Sequence, residues 1–321
     1  MEFKPSVFIG SSKEGLQVAE RIKSGLMELT ECKIWTDAFD LGISNYDNLI
    51  SQIAFYDYAI LVATSDDVVI SRKSKSKSAR DNVIFEFGLF AGGLGRSKVF
   101  YVMEKGTKIP TDMIGITLPF IPESSSANFE EAVEDCIFKI KKQIVSKEKT
   151  FDLGFLPSTA LAYGYFTNFV ARTVERLLED KRDGKEFTMQ NNTIFRISTL
   201  KFTILIPDDL SDNMFNKVKA KRLKDGWQKI KVDPKDVRDY DFSIDISKAA
   251  DGELHLVDIP FTLNALHKAI DLYSTKEHIG KNLKETLLEY RGIRNFKRTL
   301  EYLIGSNSIT KGIVQIEIVD I

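Results

Sequence analysis

The 321-residue chain is short of the residues that build disulfides and metal centres: two cysteines, Cys32 and Cys136, lie far apart, and three histidines, His255, His267 and His278, fall at no ligand spacing. The expectation is a reducing compartment with no metal site. Charge of one sign is also missing. Lys+Arg 45 against Asp+Glu 46 leaves a net charge of -1, so no global field attracts nucleic acid or an anionic membrane, and an anionic ligand must be held locally. No apolar run reaches the roughly 18 residues of a membrane span, and "MEFKPSVFIGSS" lacks the charged start and apolar core of a signal peptide. A cytoplasmic chain without nucleic-acid or membrane contacts is expected. What is present is ample apolar material: at 43% hydrophobic residues the chain can bury a large core, and its length favours two domains.

Up to about residue 150, short β-branched or aromatic runs alternate with amphipathic stretches. "SVFIG" (6 to 10), "CKIWT" (32 to 36), "YAILVAT" (58 to 64) and "KVFYVM" (98 to 103) read as buried strands, with "LPFIP" (118 to 122) a weaker fifth. Residues 13 to 29, 45 to 56, 81 to 94 and 128 to 145 carry helical spacing. Strand and helix in repetition predict right-handed crossovers and a parallel sheet covered on both faces. Ligands of such sheets bind beyond the carboxyl ends of the strands. "GSS" (10 to 12), "TDAFDLG" (36 to 42) and "TSDD" (64 to 67) all fall on that rim.

One carboxylate interrupts an apolar helix there: Glu86 in "RDNVIFEFGLFAGGLGR" (80 to 96). A buried ionised carboxylate costs several kcal/mol unless paired, so Glu86 either faces water or lines a pocket. Asp81 or Asn82 can cap this helix, and Gly88, Gly92, Gly93 and Gly95 thin one flank, which permits close approach of a ligand or a backbone. Gly10, Ser11 and Ser12 offer turn amides and hydroxyls to a pyrophosphate, or simply cap the next helix. Trp35 and Phe39 can stack on a base or belong to the core. "SRKSKSKSAR" (71 to 80) carries five basic residues and no acids, which reads as a solvated loop or a phosphate contact.

"VFIGSSKEGLQVAERIKSGL", "IWTDAFDLG", "AILVATSDD" and "RDNVIFEFGLFAGGLGR", in this order, resemble the bacterial nucleotide-binding TIR-like domains, relatives of the Toll/interleukin-1 receptor module. The resemblance implies a flavodoxin-like α/β domain over residues 1–149, with a parallel five-stranded sheet and NAD hydrolase activity. It places Glu86 as the catalytic residue and Gly10, Ser11, Ser12, Trp35, Asp37, Phe39, Asp66 and Asn82 around the NAD. The chemistry is consistent with a single carboxylate: cleaving the nicotinamide N-glycosidic bond passes through an oxocarbenium-like cation, and nicotinamide leaves neutral without a proton.

After a linker at 146 to 154 the pattern changes. A long helix is predicted at 156 to 180, with Pro157 in its first turn and Gly184 as a stop, followed by strands at 194 to 206, 227 to 232, 240 to 246 and 253 to 259. "KAADGE" reads as a hairpin turn between the last two. Helices at 262 to 274 and 279 to 304 and a strand at 312 to 321 complete an α+β domain. "STALAYGYFTNFV" (158 to 170) and "LHLVDIPFTLNAL" (254 to 266) resemble the ligand-binding domain of STING, the stimulator of interferon genes. That likeness spans about residues 155 to 321, within a second domain expected at 150–321, and implies a homodimer with cyclic di-GMP in the crevice between subunits.

By position, the STING resemblance implies that Phe169 stacks on a nucleobase beside Tyr165, for about 1–3 kcal/mol per base. Asp258 and Thr262, flanking Pro260 in "DIPFT", read the guanine edge, whose N–H pair a carboxylate accepts. Arg238 in "VRDYDF" is the lid arginine, with Lys235 or Lys231 as alternatives. The two resemblances together imply an NAD glycohydrolase gated by a cyclic dinucleotide, with NAD as substrate and no cofactor. They imply an effector of an antiphage system whose messenger a nucleotidyltransferase makes, with liganded dimers associating into oligomers or filaments. The competing readings are a nucleoside deoxyribosyltransferase-like enzyme and a non-catalytic adaptor.

Overall fold

The computed structural model describes residues 4–37, 49, 53–71, 74–109, 118–149, 157–188, 192, 194–223, 227–232, 240–249, 251–273 and 283–321. The chain divides into two compact units, Glu2–Asp152 and Leu153–Ile321. In the first unit the strands are β1 (Ser6–Ser11), β2 (Glu31–Ile34), β3 (Tyr58–Ala63), β4 (Asp67–Ser71), β5 (Ser74–Ser78), β6 (Val99–Glu104) and β7 (Phe120–Ile121). Five of them form one sheet in the order β2-β1-β3-β6-β7, every pairing parallel. This is the flavodoxin-like order, whose chain reverses direction across the sheet between β1 and β3.

Alternation along β1 divides the core. Val7 and Ile9, with Tyr58, Ile60, Val62 and Val102, face one layer formed by helices Leu16–Leu26 and Phe129–Lys149, which contribute Ile22, Leu26, Ile137 and Ile140. Phe8 points to the other face, where its ring stacks on Phe90 at 4.6 Å. Phe90 belongs to the helix Asp81–Leu94 and is fully buried. Each such aromatic contributes roughly 1.5–3 kcal/mol by burial, so the pair pins this helix to the sheet. Among the described residues, β4 and β5 form an antiparallel hairpin where the sequence suggested a solvated loop. Its backbone is tied down by Lys108, whose N–H donates to the Lys77 carbonyl at 2.9 Å, and Lys77 pairs with Glu123.

The second unit carries β8 (Glu186–Thr188), β9 (Ile194–Arg196), β10 (Thr199–Pro207), β11 (Trp227–Val232), β12 (Tyr240–Asp245), β13 (Glu253–Asp258) and β14 (Val314–Val319). The main sheet has the order β11-β12-β13-β10-β14, antiparallel at the β11 side and parallel from β13 to β14. The single strand expected at 194 to 206 is broken in two, because Ser198 and Thr199 both donate to the Gly252 carbonyl. Gly252 itself has φ +80, and a Cβ there would sit 2.7 Å from Ser198 Oγ. Only glycine suits that turn.

The long helix runs as Pro157–Tyr165 and Ala171–Arg182, joined by a π-helical turn, Phe166–Val170. It stops beside Gly184, at φ +63, as expected from the sequence. Helix Leu283–Ser306 packs on its first segment, with Phe296 buried 6.3 Å from the Tyr165 ring. A further helix, Met214–Arg222, seats Met214 and Val218 on the sheet. Among the described residues, no helix is long and apolar enough to cross a membrane.

Candidate functional sites

The first site follows from the register of one helix on one strand. Phe90 lies over Phe8, and Glu86, one turn earlier, lies over Gly10, two residues further along β1. The helix therefore runs antiparallel to the strand, with its amino end at the carboxyl ends of the sheet. Glu86 Oε2 is so close to Gly10 that a Cβ at that position would stand 2.8 Å from it and 2.5 Å from Leu61 Cδ1. Glycine is thus the residue that leaves room for the carboxyl group. Glu86 Oε2 is buried and has no hydrogen-bond partner among the described residues, and burial pushes the carboxyl up to about 7. A half-buried acid with no partner, at the crossover point of a parallel sheet, is a group held ready for something that arrives.

Around it the expected residues divide. Ser12 shares a hydrogen bond of 3.0 Å with Thr64 across the ends of β1 and β3, and accepts from the Gly15 N–H at 3.1 Å, so its hydroxyl caps the entry to helix Leu16–Leu26. Ser11 accepts from the Trp35 indole N–H at 3.1 Å, and Trp35 packs against the core cluster. The Ser12 hydroxyl thus has two partners within the protein, and the Ser11 hydroxyl accepts one bond. Asp66 follows β3 with Oδ2 buried and without a partner. Asn82 is exposed on the first turn of the Glu86 helix, whose macrodipole favours an anion. Asp37 ends a short turn after β2, Trp35–Asp37. Phe39 and most of the expected helix at 45 to 56 lie outside the described residues.

The second site is a pocket of about 1030 Å³ in the second unit. One wall is aromatic. Tyr165 stacks on Phe169 at 5.3 Å and Phe169 on Phe242 at 4.9 Å, with Phe169 on the π-helical turn, which re-aims its side chain relative to a regular helix. Tyr165 donates 2.7 Å to Asp258 Oδ2 at the end of β13. Burial pushes Asp258 up to about 6, while the hydrogen bond from Tyr165 pulls the other way. The Tyr165 hydroxyl is itself pushed well above its ordinary range by burial and by the neighbouring carboxylate. Pro260 is buried in the strand-to-helix turn, and Thr262 opens helix Thr262–Tyr273 with Oγ1 buried and, among the described residues, without a partner. Tyr165, Phe169, Asp258 and Thr262 are thus brought together, whereas Arg238 and Lys235 lie outside the described residues.

The pocket is also lined by residues that sequence reasoning missed: Phe215, Lys219, Trp227 and Ser243. Phe215 and Lys219 come from helix Met214–Arg222, in a segment assigned no element from the sequence. Its signal was faint, since buried Met214 and Val218 give only one apolar pair at helical spacing amid five basic residues in "NKVKAKRLK". Among the described residues, no group of three or more His, Cys, Asp or Glu side chains is placed to hold a metal ion.

A five-stranded flavodoxin-like domain with a lone glutamate over its first strand, on the same chain as a mixed-sheet domain with an aromatic pocket, defines a TIR-like unit followed by a STING-like unit. The family model described as the CAP12/Pycsar effector protein TIR domain matches residues 6–123, and that of the prokaryotic STING domain matches residues 157–301. Among solved structures, a bacterial STING in complex with c-di-GMP is 34% identical and covers 53% of this chain and 100% of its own, with a TM-score of 0.45. The Pycsar effector protein PaPycTIR of Pseudomonas aeruginosa is 37% identical over 115 residues, 35% of this chain and 37% of that protein. CD-NTase-associated protein 12 of Flavobacterium daejeonense is 39% identical over 322 residues, 98% of each chain. By that full-length identity the chain belongs to the CD-NTase-associated protein 12 family, in which a TIR domain and a prokaryotic STING domain share one polypeptide.

Proposed function

We propose that the protein is an NAD glycohydrolase switched on by cyclic di-GMP. The observation that carries the reading is Glu86: an unpartnered carboxyl group over Gly10, on the rim where parallel sheets bind nucleotides. In its ionised form Glu86 accepts hydrogen bonds from the nicotinamide ribose hydroxyls and stabilises the positive charge that develops at C1′. The C1′–N bond breaks with its electron pair leaving on nicotinamide. Water then bonds to C1′ and releases its proton. Asn82 and the backbone of the Gly10–Ser12 turn face the pyrophosphate, and Asp66 the polar edge of the substrate.

In the second domain, Phe169 stacks on a guanine of cyclic di-GMP and Asp258, steadied by Tyr165, accepts from its N–H pair, with Thr262 beside it. One ligand spans two sensor domains of a homodimer, and liganded dimers assemble further, bringing TIR domains together.

The test is a pair of variants measured for both activities. Glu86→Gln is expected to abolish NAD cleavage and keep cyclic di-GMP affinity within about twofold. Asp258→Ala is expected to weaken the ligand by at least about tenfold, in line with about 1.5–3 kcal/mol for hydrogen bonds to a charged group, and to lose ligand-dependent cleavage with it. Undiminished cleavage in Glu86→Gln would sink the catalytic assignment and leave the adaptor reading.

A further inference from the structure

The sensor pocket has a wall that neither the guanine-reading residues nor the stacking aromatics account for. Helix Met214–Arg222 presents Phe215 and Lys219, one turn apart, to the pocket. The other cations of that helix are spoken for or turned away. Arg222 pairs with Glu317, Lys221 donates to the Asp320 carbonyl, and Lys217 is exposed outside the pocket. Lys219 has no ion-pair partner among the described residues, and the nearest pocket acid it acts on, Asp258, is already hydrogen-bonded by Tyr165. Beside it, Phe215 stacks at 5.8 Å on Phe261, which is 75% exposed although it sits in the turn between Asp258 and Thr262. A half-buried Phe215 carrying an exposed Phe261, next to an uncommitted ammonium group, gives this wall an apolar rim and one positive charge.

We propose that this wall reads the phosphodiester of the cyclic dinucleotide: Lys219 meets a phosphate oxygen, and the Phe215–Phe261 pair shields that contact from water. The inference rests on the cyclic di-GMP reading above and adds a second recognition element, since the guanine-reading groups Asp258 and Thr262 carry no positive charge to offset the negative charge of the ligand's phosphodiesters. A phosphate contact made by an ammonium group is charge-assisted, and it strengthens when water is excluded. It is also weakened by salt. The aromatic roof and the lysine thus act together.

The experiment is a titration of cyclic di-GMP into the full-length chain at low and at high NaCl, for wild type, Lys219→Ala, Lys219→Arg, Lys217→Ala and Phe261→Ser. Lys219→Ala is expected to weaken binding about tenfold at low salt and to flatten its salt dependence, with Lys219→Arg restoring both and Lys217→Ala unchanged. Phe261→Ser is expected to lower affinity and steepen the salt dependence. Wild-type affinity and salt response in Lys219→Ala would overturn this inference alone. Absence of cyclic di-GMP binding by the wild type would overturn the ligand reading and this inference with it.

Discussion

Glu86 is held in an environment that favours its protonated form, and two measurable consequences follow. Its native pKa of about 7 against an ordinary 4.5 means that the fold gains stability from the neutral acid; that stability is complete below pH ~4.5 and is lost as pH rises through about 7. Glu86→Gln, which never ionises, is therefore expected to be more stable than wild type at pH 8, by about 1–3 kcal/mol at 1.36 kcal/mol per pK unit, with the gap closing towards pH 4.5 in thermal melts. The proposed mechanism uses the ionised form, so NAD cleavage at saturating ligand is expected to rise through pH ~7 and level off above it. A stability gap that widens towards acid pH, or a rate that falls across that range, would contradict the assignment. The sequence made Glu86 visible because it is the one acid in an apolar run. It did not show that Gly10 is what makes room for the carboxyl, nor that Ser11 and Ser12 spend their hydroxyls on Trp35, Thr64 and Gly15, because those are contacts between distant segments.

Elements whose apolar period matches their neighbours were legible. The runs of β1, β3 and β6 are buried on both faces and read as strands without ambiguity, and Gly184 marked the helix end that its positive φ requires. β5 was not legible, since its Ser-Lys alternation has the strand period but no apolar residue to anchor it, and its ties to Lys108 and Glu123 come from elsewhere in the chain. The π-helical turn under Phe169 and the Met214–Arg222 helix were hidden for a similar reason: one departs from the 3.6 period locally, and the other is held mainly by packing on the sheet. The glycines of the Glu86 helix also look different in three dimensions. Only at Gly93 would a Cβ collide, 2.3 Å from Ile53 Cγ2; at Gly88 and Gly92 it would meet nothing within 4 Å. Gly88→Ala with Gly92→Ala is therefore expected to raise the melting temperature by about 2–8 °C, from roughly 0.5–1 kcal/mol of helix stability at each position. A lowered melting temperature for that pair would mean that the helix face is packed against something in solution.

At the scale of the whole molecule, the account joins a binding event in one compact unit to a reaction in the other. Such gating is a matter of differential affinity: moving the population from 1:99 to 99:1 requires the ligand to favour the active state by about 5.5 kcal/mol. The element pattern changes near residue 150, the chain divides between Asp152 and Leu153, and the family models match 6–123 and 157–301. Coupling between the units is read out by nicotinamide release from the full-length chain, with and without cyclic di-GMP. The account predicts little release from NAD alone and a rise of at least about 100-fold once the ligand saturates. A rate of release that is the same with and without bound ligand would contradict it.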